Sequence, residues 1–314
     1  MHGWIILDKP LGLGSTQGVS AVKRALRDGG YGKFKVGHGG TLDPLATGVL
    51  PIAIGEATKL AGRMLDSDKI YDFTIRFGVQ TATLDLEGAE IATSDVRPTL
   101  AQVEAVLPRF TGPIDQVPPA YSALKVDGQR AYALARAGED VVLPSRSVTI
   151  HSLSSSPERG GGPPKAAEGV GARASSSGEE LQEITLTAHV SKGTYIRSLA
   201  RDIALALGTV GHVTMLRRVK AGPFTLADSI SLDKLAELGH GRALEDKLLP
   251  LRAGLDDIPA LSLSPDQAGL LRQGRVLIGI AADDGLHFAT SDDVPVALVE
   301  VLDREVSVVR GFNL

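Results

Sequence analysis

Alternating hydrophobic and polar positions mark several segments of the chain as β-strands. In residues 71–77 (YDFTIRF) aromatic and apolar side chains occupy every second position, and residues 184–190 repeat this period of two. Short apolar runs at residues 4–7 and 49–54, and the segment VTMLRRV at residues 213–219, predict further strands. The chain therefore contains enough strands for a substantial sheet.

Three capped helices are predicted among these strands. Cap-forming side chains precede apolar residues at helical spacing, and glycine follows two of the three segments. The helices begin at Ser15 or Thr16, at Thr99 and at Thr194, and Gln102 completes a capping box with Thr99. Gly29 ends the first helix and Gly208 ends the third. Strands mixed with a few helices predict an α+β fold, in which helices pack on a mixed or antiparallel sheet.

One stretch, residues 37–51 (GHGGTLDPLATGVLP), fits neither a regular helix nor a regular strand. It contains four glycines, which allow backbone angles closed to other residues and let a ligand approach the main chain. Pro44 forces Asp43 out of the helical region. The stretch therefore predicts a shaped loop that presents the Asp43 carboxylate, although an Asp beside Gly and Pro often only hydrogen-bonds its own turn.

Composition excludes several classes of protein. The 314 residues are 43% hydrophobic and 22% charged, which is typical of a globular chain with more than one domain. No apolar run reaches the length of a membrane span, about 18 residues, and the N-terminus lacks the features of a signal peptide, so we expect a cytoplasmic protein. Cysteine is absent, the seven histidines show no metal-ligand spacing, and there is no phosphate-loop motif. Neither a metal nor a cofactor is expected.

Charge is distributed unevenly along the chain. The formal net charge is −4, but residues 192–220 carry six basic side chains against one acidic side chain, whereas residues 248–314 carry ten acids against five arginines. Phosphate binding needs a basic surface, so the first of these segments permits a nucleic-acid partner without proving one.

The run HGGTLDPLATGVLP at residues 38–51 resembles the catalytic motif of the TruB family of tRNA pseudouridine synthases. The resemblance implies that Asp43 is the essential nucleophile and that His38 contacts RNA. Further blocks that resemble the family are Asp-Lys-Pro at 8–10, KIY at 69–71, PPAYSALKVDGQRAY at 118–132 and KGTYIR at 192–197, so that the resemblance covers most of residues 3–224.

These blocks supply the other candidate site residues. The resemblance implies that Tyr71 stacks on a flipped uracil and that Tyr195 lies near the target nucleotide. It also implies that Arg197 lies beside Asp43, where a guanidinium keeps the carboxylate ionised and orients it. Without the resemblance, the same positions could be ordinary core or surface residues. The remaining substrate-binding candidates are the pocket residue Leu216 and the basic residues Lys9 and Lys125.

The resemblance also implies a domain organisation. The pseudouridine synthase fold, with a mostly antiparallel sheet and flanking helices, is expected in residues 1–244, and a small β-rich domain like the PUA-type RNA-binding domain is expected in residues 245–314. Residues 152–182 are rich in Ser, Gly, Pro and Ala and cannot bury enough apolar surface to order themselves, so we expect a disordered insertion between two strands.

The implied reaction is isomerisation of the uridine at position 55 in the T-arm of tRNA to pseudouridine, by a monomer that needs no cofactor and no protein partner. It requires a carboxylate at the ribose C1′ and a pocket for the extruded base. Two other classes stay open. One is a non-catalytic RNA-binding or tRNA chaperone protein on the same scaffold. The other is a glycoside hydrolase, which usually needs a second carboxylate that the matched motifs do not contain.

Overall fold

The computed structural model describes residues 1–126, 128–155 and 178–314. The chain divides into two compact units. The first unit combines the two ends of the chain, Met1–Leu65 and Lys220–Leu314, and the second is the continuous segment Asp66–Val219. The chain therefore leaves the first unit once, builds the second and then returns to complete the first.

Strands and short helices alternate along the described ranges. The strands are β1 (Gly3–Lys9), β2 (Val36–His38), β3 (Ala46–Ile54), β4 (Lys69–Phe77), β5 (Val79–Thr81), β6 (Glu90–Thr93), β7 (Gly112–Gln116), β8 (Lys125–Val126), β9 (Gln129–Arg130), β10 (Arg146–Ser155), β11 (Glu183–Val190), β12 (Gly211–Ala221), β13 (Phe224–Thr225), β14 (Ser229–Ile230), β15 (Leu249–Pro250), β16 (Ala260–Ser262), β17 (Leu277–Ile278), β18 (Gly285–Ser291), β19 (Val294–Leu302) and β20 (Glu305–Gly311). The α-helices are α1 (Ser15–Asp28), α2 (Ala61–Asp66), α3 (Leu100–Val106), α4 (Ala131–Arg136), α5 (Ile196–Ala206), α6 (Leu232–His240) and α7 (Pro265–Arg272).

In the first unit, β1 pairs with three other strands. It runs antiparallel to β3 along its whole length, parallel to β14, and antiparallel to β15. Trp4 of β1 is fully buried, and its ring centroid lies 5.3 Å from that of Phe224. The indole Nε1 of Trp4 donates a hydrogen bond to the Leu251 carbonyl at 3.2 Å. Residues from both ends of the chain therefore form this core.

The C-terminal strands of the first unit form a five-stranded sheet with the order β16-β18-β19-β20-β17. Tight turns join its longest strands: Asp292 and Asp293 connect β18 to β19, and Asp303 and Arg304 connect β19 to β20. All four residues have positive φ, between 49° and 65°, as the two-residue turns of β-hairpins require and as Asp tolerates. This sheet and α7 bury a hydrophobic cluster of their own, which includes residues from β16 to β20.

The second unit is built on a sheet with the order β12-β4-β11-β10-β7. Strand β11 runs antiparallel to β4 and to β10, and β10 runs antiparallel to β7. The predicted apolar face of β4, Phe73, Ile75 and Phe77, is buried in one cluster with residues of β11, α3 and α5. The α+β prediction, with helices on a mostly antiparallel sheet, is confirmed.

Helix starts were predicted with mixed success. Thr99 and Gln102 form the predicted capping box at the start of α3. The first helix is capped by Gly14, one residue before the predicted caps, and the Gln17 side chain accepts a hydrogen bond from the Gly14 amide at 2.7 Å. Tyr195 caps α5, because the predicted cap, Thr194, instead donates its hydroxyl to the Ser191 carbonyl at 3.0 Å.

The range predicted for the insertion, residues 152–182, is too long at both ends. Residues 152–155 belong to β10, where Leu153 pairs with Ala188 of β11. Residues 178–182 are also described, and Leu181 packs against the core of the second unit. These end residues carry the pairing and packing that the low-complexity composition did not predict, and the rest of the predicted insertion, 156–177, lies outside the described residues.

Within the described ranges, no helix is both long enough and apolar enough to cross a membrane.

Candidate active site

Asp43 lies on a loop between two paired strands of the first unit. Strands β2 and β3 are antiparallel, with His38 opposite Ile52, so residues 39–45 form the connection between them. Asp43 is half-buried on this loop, and its carbonyl accepts a hydrogen bond from the Ala46 amide at 3.0 Å. The sequence motif therefore forms the predicted shaped loop, and His38 lies at the end of the strand that enters it.

Hydrogen bonds hold the loop on both sides of Asp43. On one side, the Ser15 hydroxyl accepts a hydrogen bond from the Leu42 amide at 2.8 Å and donates to the Leu42 carbonyl at 3.1 Å. On the other side, the Gly12 amide donates to the Pro44 carbonyl at 2.8 Å. Because both neighbours of Asp43 are fixed to the segment that begins α1, the backbone beneath the carboxylate has little freedom to move.

Lys9 also supports this loop. Its side chain is fully buried, and its ammonium donates hydrogen bonds to the carbonyls of Leu13 at 2.6 Å, Pro10 at 3.0 Å and Pro44 at 3.3 Å. A buried ammonium that is directed at carbonyl oxygens cannot reach an RNA phosphate in this conformation. We therefore propose a structural role for Lys9 beneath the Asp43 loop in place of the expected RNA contact.

Gly39 is needed for space. A Cβ atom at Gly39 would lie 2.6 Å from Cβ of Met64, a distance that side chains essentially never tolerate. The Gly39 amide also donates to the Pro51 carbonyl at 2.8 Å, which keeps the loop entrance close to β3. The first of the paired glycines in the motif therefore has a packing role.

In the second unit, Arg197 is buried in the first turn of α5. Its side chain is 7% exposed, and its Nη1 atom lies 3.2 Å from the Asp85 carboxylate and donates to the Thr83 carbonyl at 2.8 Å. Its Nη2 atom donates to the Tyr121 carbonyl at 3.0 Å. The guanidinium is therefore held in a fixed orientation by groups from two different segments.

Asp85 is a site candidate that the sequence analysis missed. Its carboxylate also accepts hydrogen bonds from the Thr83 hydroxyl and from the Glu87 amide. Leu84, which lies between Thr83 and Asp85, has a φ of +62°, a value that is rare for leucine. This backbone conformation directs the Thr83 carbonyl and the Asp85 carboxylate to the same guanidinium. The only local signal was an Asp in a turn-forming segment, TLDLEG, which is common in loops without function.

Tyr195 is fixed at the start of α5. The Gln116 side chain makes two hydrogen bonds to the Tyr195 backbone, accepting from its amide at 2.8 Å and donating to its carbonyl at 3.1 Å. The Arg146 guanidinium lies 4.7 Å from the centre of the Tyr195 ring, within the range of a cation–π interaction. The phenol of Tyr195 is half-buried, so its ring is positioned but not enclosed.

Tyr71 and Leu216 lie on the edge of the same hydrophobic core. Both are partly buried and pack against the cluster of the second unit, and Tyr71 pairs with Ala188 in the ladder between β4 and β11. Lys69, two residues earlier, is buried and donates a hydrogen bond to the Ser67 carbonyl. Burial, and next the positive charge of Arg218, lower the pKa of the Lys69 ammonium to about 8 against the opposing effect of nearby carboxylates.

The candidate site residues are distributed between the two units. Asp43 and His38 belong to the first unit, and Tyr71, Tyr195, Arg197 and Leu216 belong to the second. Lys125 also belongs to the second unit, where it is exposed on the short β8–β9 hairpin opposite Arg130. The exposed position of Lys125 leaves its ammonium accessible to a ligand.

Solved structures share this fold. A Cbf5-Nop10-Gar1 complex contains a chain that aligns with a TM-score of 0.69 and 24% identity, over 99% of this chain and 85% of that chain. A chain of an H/ACA RNP bound to a substrate RNA containing 2'-deoxyuridine aligns with a TM-score of 0.68 and 22% identity, over the same shares of both chains. At this level of identity, the likeness concerns the fold.

Sequence comparisons are more specific. Three proteins named tRNA pseudouridine synthase B, from Novosphingobium aromaticivorans, Zymomonas mobilis subsp. mobilis and Caulobacter vibrioides, are 66%, 56% and 44% identical to the chain. The alignments cover 100% of this chain and 98%, 96% and 97% of those proteins. Residues 27–196 match the N-terminal domain of TruB family pseudouridylate synthases, and residues 197–256 match the C-terminal domain of tRNA pseudouridylate synthase B. The chain belongs to the TruB family of pseudouridylate synthases.

Proposed function

We propose that this enzyme isomerises the uridine at position 55 in the T-arm of tRNA to pseudouridine. The observation that carries the proposal is the Asp43 loop, whose two neighbouring residues are fixed by hydrogen bonds from Ser15 and Gly12. Full-length relatives that are named for tRNA pseudouridine synthesis support it. Family membership favours this reading over a non-catalytic RNA-binding protein.

The reaction rearranges bonds within one nucleotide. The bond between the ribose C1′ and N1 of uracil breaks, the uracil turns over, and C1′ forms a bond to C5. The proton on C5 is lost and N1 gains a proton, so that substrate and product have the same atoms and no net electron transfer occurs. In our proposal, the Asp43 carboxylate acts at the C1′ side, as the nucleophile of a retaining glycosidase does. A covalent sugar adduct follows directly from this role, whereas addition to the base or elimination to a glycal would use the carboxylate as a nucleophile on the uracil or as a base on the ribose.

The other residues hold the nucleotide and move the proton. Tyr71 stacks on the extruded uracil, because an aromatic ring at the edge of the core can receive a base. Its hydroxyl, or that of Tyr195, relays the proton that leaves C5. Arg197 supplies a fixed positive charge, which favours an ionised carboxylate in the active site. Leu216 provides the apolar wall of the base pocket.

RNA contacts outside the pocket come from basic and aromatic side chains. We propose that His38, at the entrance of the Asp43 loop, contacts the T-arm and that Lys125 contacts a phosphate. Lys9 has no such role in the proposal, because it is buried beneath the loop.

Residues 245–314 are proposed to bind tRNA as a PUA-like domain, after a catalytic domain at residues 1–244. Segments near Arg272 and near Phe312 line one cavity of about 600 Å³ in this region. Arg272 is exposed at this cavity. In the full-length chain, Arg272→Ala should raise the KM for tRNA and leave kcat unchanged, whereas Arg275→Ala, which removes an arginine outside the cavity lining, should change neither. Equal effects of the two substitutions would contradict this assignment.

The central experiment measures pseudouridine formation on an unmodified tRNA transcript by the purified chain alone, without cofactor or guide RNA. Wild type is compared with Asp43→Asn, with an Asp115→Asn control that changes an exposed carboxylate on β7. We expect conversion of one T-arm uridine by wild type and the control, and none by Asp43→Asn, while all three bind tRNA. Binding without conversion by wild type would reject the enzymatic proposal in favour of an RNA-binding protein.

The same assay tests the remaining assignments. We propose a cytoplasmic monomer that needs no protein partner, and activity of the isolated monomer at the concentration of the assay is the expected result. Tyr71→Phe should lower the single-turnover rate and keep tRNA affinity. A full single-turnover rate for Tyr71→Phe would assign the proton relay to another group and leave only the stacking role.

A further inference from the structure

Three side chains of the second unit that have no assigned role bring potential metal-binding atoms together. The Oδ2 atom of Asp68 lies 3.1 Å from Nε2 of His151 and 3.8 Å from Nε2 of His189. The centroids of the two imidazole rings are 4.7 Å apart. The three ligand atoms all lie within 4.8 Å of one another. Two imidazoles therefore face the same carboxylate oxygen.

A β-bulge in β10 lies within this arrangement. Ile150 pairs with Val190 and Ser152 pairs with His189, so His151 is an extra residue in the ladder. A bulge of this kind sets two residues of one strand opposite one residue of its partner, here His151 and Ser152 opposite His189. Ile150 and Val190 are buried in the core, whereas the side chains of His151 and His189 are each 37% exposed. Strand alternation therefore turns both imidazoles, each next to a buried residue, to the solvent side of the sheet.

Asp68 reaches the histidines from the other neighbour of β11. It directly precedes β4, and Lys69, the first residue of β4, pairs with Val190, the residue after His189. Two adjacent strands and the residue before a third thus each contribute one group. Because the two histidines lie 38 positions apart in sequence, no short sequence motif contains both of them.

We propose that Asp68, His151 and His189 form a binding site for a divalent transition-metal ion of the Zn²⁺ type. Zn²⁺ binds imidazole nitrogen and carboxylate oxygen at about 2.0–2.2 Å in tetrahedral geometry, which places its ligand atoms about 3.4 Å from one another. The observed separations of 3.1 and 3.8 Å from Asp68 Oδ2 lie on either side of this value. Small rotations of three partly exposed side chains bring the ligand atoms onto one ion.

The chemistry of the ligands fits such an ion. One carboxylate and two neutral imidazoles are a donor set that Zn²⁺ and its neighbours in the first transition row accept, and three protein ligands leave a fourth position for a water or another oxygen ligand. The nearest additional carboxylate along the chain, Asp66, is paired with Lys192 at 3.1 Å. The ion would connect β4, β10 and β11 at the point where the bulge interrupts their ladder.

A simple His–Asp pair needs only one imidazole. Asp28 and His240 of the first unit form such a pair, with 3.9 Å between the carboxylate and Nε2. In the Asp68 cluster, a second imidazole is directed to the same oxygen, and this convergence is what distinguishes a metal site from an ion pair. The Asp28–His240 pair therefore provides a matched control.

Metal binding is tested on the full-length chain without an affinity tag, after removal of metal by chelator. Zn²⁺ is titrated in competition with a chromogenic chelator, and Co²⁺ is added separately because its visible absorption reports tetrahedral coordination. Wild type is compared with His151→Gln, His189→Gln, Asp68→Asn and the control His240→Gln. Thermal unfolding with and without Zn²⁺ checks that every variant is folded.

We expect one equivalent of Zn²⁺ per wild-type chain, an affinity at least about tenfold weaker in each of the three ligand variants, and no change in the control. Zn²⁺ should raise the Tm of wild type and of the control more than that of the ligand variants. The proposal is overturned if wild type binds no stoichiometric Zn²⁺, or if the control loses as much affinity as the ligand variants. It is also overturned if the ligand variants weaken tRNA binding but keep wild-type Zn²⁺ affinity, which would assign the cluster to an RNA phosphate.

Discussion

Replacing Asp85 by asparagine tests how strongly the buried ion pair holds Arg197. The substitution removes the negative charge that lies 3.2 Å from the guanidinium and keeps a side chain of the same size. The amide oxygen of the new residue can still accept hydrogen bonds from the Thr83 hydroxyl and the Glu87 amide, as the carboxylate does now. With the amide oxygen in that position, the amide nitrogen faces the guanidinium in place of the carboxylate oxygen, so the substitution removes both the negative charge and the acceptor.

The structure gives the expected magnitude. At 3.2 Å, two unit charges attract by about 5 kcal/mol if the effective dielectric constant is about 20, and the desolvation of both groups offsets part of this. Removal of one partner from a buried pair typically costs about 3–5 kcal/mol. Arg197 keeps its hydrogen bonds to the Thr83 and Tyr121 carbonyls, so we expect the lower end, a loss of about 3 kcal/mol in the free energy of unfolding.

Asp202→Asn is the matched control. Asp202 lies 2.8 Å from Nε of Arg201 on the same helix, but the two side chains are 27% and 20% exposed, compared with 11% and 7% for Asp85 and Arg197. An exposed pair contributes less than about 1 kcal/mol. Both variants are unfolded with urea, and the midpoints are compared with that of wild type. If Asp85→Asn costs no more than Asp202→Asn, burial does not set the strength of this pair and the reasoning is refuted.

Three further predictions use the same protein. Lys9→Met should lower kcat at least about tenfold without changing tRNA affinity. Lys125→Met should instead weaken tRNA binding and reduce its salt dependence by about one phosphate contact. The reverse pattern would assign Lys9 to the RNA-binding surface. Glu56→Gln should destabilise the fold by about 1 kcal/mol at neutral pH. Burial raises the pKa of the Glu56 carboxyl, but hydrogen bonds from the Lys59 side chain and the Asn313 backbone amide lower it more, so that the pKa lies below its ordinary value. The ionised Glu56 carboxylate stabilises the fold at pH values above the ordinary pKa of a glutamate, and this stabilisation is lost as the pH falls through the folded-state pKa. The urea midpoints of wild type and Glu56→Gln should therefore converge in acid and should not converge in base. Gly39→Ala should lower stability by about 1–3 kcal/mol through its clash with a methionine side chain, and Gly37→Ala, where a Cβ meets open space, should have little effect in the same unfolding assay.

Local patterns predicted much of the fold. The period-two segments at residues 71–77 and 184–190 became β4 and β11, whose observed bounds differ from the predicted ones by at most two residues. The Asp43 loop also followed from its own residues, since glycine and proline restrict the backbone wherever they occur. Patterns of this kind succeed because the physical cause and the signal lie in the same few residues.

Long-range pairing was beyond such patterns. Asp85 and Arg197 are 112 positions apart, and nothing in the segment around either residue identifies the other. The burial of Lys9 depends in part on the carbonyl of Pro44, which reaches it only after β1 and β3 have paired. The bulge at His151 depends on the register of β10 against β11, which is a property of the two strands together. From sequence, Lys9 in the Asp-Lys-Pro block was assigned to RNA, whereas its described hydrogen bonds are to backbone carbonyls within the protein.

The core around Trp4 has a consequence for the order of events during synthesis on the ribosome. Trp4 is made first, but its partners Phe224 and Leu251 follow more than 200 residues later. At about 5–20 residues per second, the N-terminal strand waits roughly 10–50 s before the first unit can close, whereas Asp66–Val219 is complete before then. Since the chain has a single tryptophan, its fluorescence reports directly on that closure. In refolding experiments, indole emission should therefore follow the joining of the chain ends rather than the folding of the segment between them.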